Sequence, residues 1–237
     1  MGFFDDVKED QTLQIQVLCV AFFLIAFPSY FMIKASATDN PTGMGGVGTY
    51  TVGGELDYIL FYESEETIAD GTPFVLDLNT DLIEGIEGKN IVGILVSMSY
   101  GEDEQPRGPP CASGTAADTI TGTASHLNFS NSADGQNTDG SGSHDVITEW
   151  YNSSMFGTEV EGLSESEIID QIDSKGAGLG DYSIEIAVAA EGDSCAASAI
   201  NPLPDNEDNG ETVTFTVELI VFDYSVKPYV DEEPIDV

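Results

Sequence analysis

From Gln11 to Ile33 no residue carries a formal charge, and Val17 to Ile33 is almost wholly apolar. A helix rises about 1.5 Å per residue, so about 20 residues cross a hydrocarbon core of roughly 30 Å. The pattern predicts a transmembrane helix over 12–34, embedded in membrane lipid and preceded by a short cytoplasmic N-terminus, 1–11. Pro28 is tolerated in lipid, where neighbours re-satisfy the freed carbonyl. Tyr30 and Lys34 suit the far interface. A cleaved signal peptide is the rival reading, because Ala35-Ser36-Ala37 spells a small-residue cleavage site. Against it, Asp5, Asp6, Glu9 and Asp10 surround Lys8 where a leader carries positive charge, and the apolar run exceeds a usual leader core.

Charge narrows the partners. The chain of 237 residues has 43 Asp and Glu against 6 Lys and Arg, a formal net charge of −37. So few bases cannot neutralise a phosphate track, which excludes nucleic acid as a partner. Charge-driven docking on an anionic membrane is excluded for the same reason. With 41% hydrophobic residues, the chain is not disordered throughout. It repels itself at low salt and needs cations to be compact, as in a halophilic or marine setting.

Orientation rests on the body, since Lys8 and Lys34 tie across the helix. Cys111 and Cys195 are the only cysteines outside the apolar segment and predict one disulfide in an oxidising space. That bridge would stabilise by about 2–4 kcal/mol. Asn128-Phe129-Ser130 and Asn152-Ser153-Ser154 are glycosylation triplets, with Asn128 and Asn152 as acceptors. Together these features predict a single-pass protein of the cell membrane, N-terminus inside and C-terminal domain outside.

Residues 35–48 read as a flexible tether rich in Gly, Pro and Asn. Gly43-Met44-Gly45-Gly46-Val47-Gly48 spells the dinucleotide fingerprint, but no strand precedes it and Thr49-Tyr50-Thr51-Val52 follows with strand propensity, so it is linker. Strand patterns then recur at Leu56–Tyr62, Phe74–Leu78, Asn90–Tyr100, Asp118–Ala124, Tyr182–Val188 and Thr212–Tyr224. In the last, Val213, Phe215, Val217, Leu219 and Val221 share one face, a period of two. Ser164-Glu165-Ser166-Glu167 is a capping box ahead of Ile168, Ile169 and Ile172. The fold class is mainly β: the N-terminal transmembrane helix, then an antiparallel β-sandwich over 49–227, jelly-roll or Ig-like, with one short helix. Residues 228–237 form an acidic tail. The Asn-, Ser- and Gly-rich stretch Asn128–His144 reads as a long exposed loop.

No catalytic constellation emerges. His126 and His144, the only histidines, read as loop residues at a polar surface, and neither a nucleophile elbow nor a zinc-ligand spacing occurs. Calcium is the one cofactor to which the pattern points. From Asp205 to Glu211, Asp205, Glu207 and Asn209 offer side-chain oxygens at positions one, three and five with Gly210 at six, giving Asp205, Glu207, Asn209 and Glu211 as ligands. The run resembles the first half of an EF-hand-type loop, although Thr216 stands where the closing Glu belongs and a strand follows. A solvated acidic hairpin is the competing reading. Asp134, Asp139 and Asp145 form a looser second cluster.

These features predict a membrane-anchored extracytoplasmic sandwich with a binding or structural role at the cell surface, and no enzyme. The alternatives are an accessory subunit of a membrane complex, with a protein partner in or outside the membrane, and a filament subunit. For the latter, an N-terminal hydrophobic helix before a β-rich head resembles the layout of archaeal type IV pilins, without their basic leader and processing site.

Overall fold

The computed structural model describes Ile15, Val20 and residues 22–30, 46–101, 117–137, 140–191 and 209–230. Cys111, Cys195, Asp205, Glu207, Asp139, most of the tether and the tail beyond 230 lie outside the described residues. The chain forms two compact units, one of Met1–Val52, Gly157–Ile169 and Val226–Val237, the other of Gly53–Phe156 and Asp170–Ser225. The elements are β1 (Val47–Ala69), β2 (Phe74–Asn79), β3 (Ile91–Gly101), β4 (Thr119–His126), β5 (Phe129–Gln136), β6 (Ser141–Glu149), β7 (Glu159–Ser164), α1 (Glu165–Ile172), β8 (Asp181–Ala189) and β9 (Gly210–Pro228). The protein is mainly β, with two antiparallel sheets and few helices.

In the larger unit one sheet runs β6-β3-β9-β1 and the other β2-β8-β4-β5. The alternation read from the sequence is realised: Val213, Phe215, Val217, Leu219 and Val221 are buried on β9, and Tyr182, Ile184, Ile186 and Val188 on β8. They share one cluster with Ile94, Val96 and Met98 of β3 and Ile120 and Ala124 of β4, so both sheets contribute to a single core. At Gly122 on β4 a Cβ would lie 2.9 Å from Met98 Sδ and 2.9 Å from Val146 Cγ2, so a bare backbone is needed where the layers approach. The other face of β4 is hydroxylic. Thr121 donates to Asp134 at 2.7 Å, Thr123 donates to Ser132 at 3.1 Å, and Ser125 and Ser130 lie 2.9 Å apart.

The predicted loop over Asn128–His144 is corrected: it holds β5 and the first part of β6. Its polar residues supply the hydroxyl ladder with β4, and its glycines make room for rings. A Cβ on Gly135 would run into Tyr100 Oη and His144 Nδ1. The strand is therefore poor in apolar residues although regular. Strands β7 and most of β6 also went unforeseen, and β1 extends well beyond Leu56–Tyr62.

In the smaller unit β7 pairs with the start of β1, from Val47↔Ser164 to Thr51↔Glu159, with a register shift at Gly48/Thr49. The capping box forms as read. Ser164 N and Oγ donate to Glu167 Oε2 at 2.8 and 2.7 Å, and Glu167 N donates to Ser164 Oγ at 3.3 Å. Residues 22–30 are helical and expose Phe22, Leu24 and Ile25. Among the described residues no helix is long and apolar enough to cross a membrane.

Gly122→Ala should lower the unfolding free energy by about 1–3 kcal/mol through overpacking. Gly88→Ala, where a Cβ meets nothing within 4 Å, should change it by less than about 0.5 kcal/mol. Denaturant unfolding of both variants compares them directly.

Candidate functional site

Strands β2, β8 and β4 lie side by side, and their register sets Asp77 opposite Ser183 and Ser183 opposite Ser125. At this end of the sheet an open pocket of about 460 Å³ is lined by Asp77, Ser125, His126, Leu127, Asp181, Tyr182 and Ser183. Asp181 accepts from Asn79 Nδ2 at 2.5 Å.

One row nearer the end of the sheet, His126 pairs with Tyr182 across the β4–β8 ladder. That register stacks the imidazole on the phenol, with centroids 4.1 Å apart and planes 14° apart. Trp150 closes in at 4.9 Å. His126 is buried, with Nδ1 2.8 Å from Asp181 O and Nε2 2.6 Å from Ala177 O. The expectation of a loop histidine at a polar surface is therefore corrected. His144 is half-buried on β6, with Nδ1 3.0 Å from Tyr100 Oη and Nε2 3.2 Å from Ala133 O.

The segment between α1 and β8 has little regular structure and is held by side chains. Tyr182 donates to Gly178 O at 2.6 Å, and Gly180 N donates to Thr80 Oγ1 at 2.8 Å. Asn90 Oδ1 accepts from Ser174 N at 2.8 Å while its amide donates to Ile172 O and Phe222 O at 3.1 and 3.2 Å. Tyr224 donates to Asp173 Oδ2 at 2.7 Å. Burial, then that bond to Asp173, pushes the Tyr224 phenol up to about 12. Burial, then the charge of Glu149, does the same for Tyr151 at about 12. Burial also raises Tyr182.

The pocket's rim is strained. His126 pairs with Phe129, so Leu127 and Asn128 form a two-residue turn. Leu127 sits at φ 51°, in the left-handed region that favours glycine. Leu127 is 68% exposed, so its own strain is offset by little burial, while Phe129 beside it lays its ring against Trp150.

The sites expected from sequence scatter. Of the calcium set, Asn209 is exposed at the edge of the described chain, whereas Glu211 is fully buried. Glu211 thus does not belong to a solvated hairpin. It shares Asn137 with Asp118: Asn137 Nδ2 donates to Asp118 Oδ2 at 3.0 Å and to Glu211 Oε1 at 3.3 Å. Asp118 also accepts from Glu191 N at 2.7 Å, and its own N–H donates to Asn137 Oδ1 at 2.7 Å. Nothing in the sequence marks Asp118 and Asn137 as interior. Asp134 and Asp145 are exposed on β5 and β6. Among the described residues no group of three or more His, Cys, Asp or Glu is placed to hold a metal. Asn128 is exposed at the turn, while the Asn152 amide donates to Gln171 Oε1 at 2.9 Å.

Leu127→Gly should raise stability by up to about 1 kcal/mol, the left-handed strain relieved less the extra entropy of glycine. Thermal unfolding reads the sign. Tyrosinate absorbance should rise first near about pH 10 for exposed phenols. Tyr151 and Tyr224 follow at about 12. The stability that these two contribute is present below their ordinary range and lost as pH rises through the higher value, so circular dichroism should fade with the second step.

Compared with known proteins, the chain matches no protein-family model and no curated protein.

Proposed function

We propose that this chain is a membrane-anchored, extracytoplasmic β-sandwich of jelly-roll type with a binding or structural role at the cell surface. The jelly-roll reading is supported by how the chain passes between sheets: β1, β3, β6 and β9 belong to one, β2, β4, β5 and β8 to the other. The anchor is supported by the uncharged run and by the apolar side chains exposed on helical residues 22–30. The single observation that carries a binding role is Leu127, strained and exposed on the rim of an open polar pocket. Strain held at an exposed apolar turn costs stability without improving packing, which is the signature of a surface kept for contact. A binding role is favoured over acid–base catalysis because both nitrogens of His126 and of His144 already face oxygen partners.

An accessory subunit would use the same anchor and the same pocket edge against a neighbouring membrane protein, and a pilin-like subunit would polymerise through the helix. The test uses the full chain in the cells that make it. Retention in membranes after alkaline washing, with the C-terminal domain cleaved by protease added to intact cells, is expected. Release by the wash, or protection from external protease, would overturn the proposal. Migration as one large species in mild detergent would select the accessory subunit, and sheared filaments the pilin-like one.

A further inference from the structure

We infer that His126 is held as an imidazolium, a buried cation that latches residues 173–181 to the end of β4 and releases them when it loses its proton. Both ring nitrogens face carbonyl oxygens, Nδ1 at 2.8 Å from Asp181 O and Nε2 at 2.6 Å from Ala177 O. A carbonyl only accepts, and a neutral imidazole has one N–H, so either tautomer leaves a nitrogen lone pair pressed on an oxygen lone pair. Turning the ring over would aim carbons at both carbonyls and lose both bonds. Two N–H donors satisfy the pair, and charge-assisted bonds are the stronger kind.

The surroundings suit a cation. The face of Tyr182 lies 4.1 Å away by centroid and that of Trp150 4.9 Å, within cation–π reach. The titratable and charged groups around the ring are few. Asp181 on β8 and Asp77 on β2 line the same pocket and favour positive charge. The Tyr182 hydroxyl is given to Gly178 O. In the latched segment, Asp173 is taken by Tyr224 and Lys175 by Asp170, the latter pair exposed. The Phe129 ring lies against Trp150, and Glu149, the residue before Trp150, is exposed. Ala177 O belongs to the segment with little regular structure and Asp181 O to the first residue of β8, where that segment enters the sheet, so the proton on His126 adds to the bonds that fix the segment and one wall of the pocket.

The chain contains a single tryptophan, Trp150, which is beside His126, and a protonated imidazole quenches indole emission. The test follows the full chain as pH rises from about 5 through the histidine range. Trp150 emission should increase in one step that is lost in His126→Gln and kept in His144→Gln. Amide exchange of residues 173–181, corrected for its intrinsic pH dependence, should quicken at that step by on the order of tenfold. Should His126→Gln not fold, ¹⁵N resonances of the wild-type ring decide: both nitrogens protonated below the step, one above it. A ring with a single N–H while 173–181 stays protected would overturn the inference. So would the absence of any His126-dependent step before global unfolding.

Discussion

Ile94, Val96 and Met98 from one sheet and Ile120, Ile184 and Ile186 from the other lie in one buried cluster, and the remaining architecture hangs on that packing. With 43 acidic and 6 basic residues, the chain has almost nothing with which to pair its charges. Between described residues the one ion pair is Lys175–Asp170, at an exposed site where such pairs contribute little. Each fully buried aliphatic side chain contributes about 1.5–3 kcal/mol, whereas self-repulsion works against the compact state. Burial between sheets therefore has to exceed both chain entropy and charge. The close approach at Gly122 shows how little slack the layers leave.

Polar groups taken into this interior bond to backbone groups or, at Asn137, to carboxylates through a neutral amide, rather than to opposite charges. Asn90 ties Ser174, Ile172 and Phe222; Asn137 joins Asp118 and Glu211; His126, Tyr182 and Thr80 fix the segment before β8. A buried polar group without a partner costs several kcal/mol, so these amides and hydroxyls position loops that regular structure does not. The pocket sits where such a segment meets a strained hairpin. Its inner wall, Tyr182, belongs to the core, and the segment behind it is held by a few directional bonds.

The regular strands were legible because period-two alternation is a local property, and Val213 to Val221 or Tyr182 to Val188 spell it out. The capping box at Ser164 was legible for the same reason. Strand β5 was not: its residues are polar because one face carries a hydroxyl ladder and the other must stay small beneath Tyr100 and His144. The two histidines were misread as surface residues because only the β4–β8 register puts His126 on Tyr182. Glu211 was legible as an oxygen donor but not as an interior one, since its burial depends on Asp118 and Asn137, both distant in sequence. The pocket was illegible for a related reason: β2, β4 and β8 are neighbours in the sheet and far apart along the chain.

Thermal unfolding of the full chain at low ionic strength, titrated with NaCl, tests the central claim most directly. If core burial holds the fold against its own charge, Tm rises with salt and levels off once repulsion is screened. A Tm that is unchanged or falls as salt is added would mean that attractive charge pairs hold the protein together, and would contradict the account.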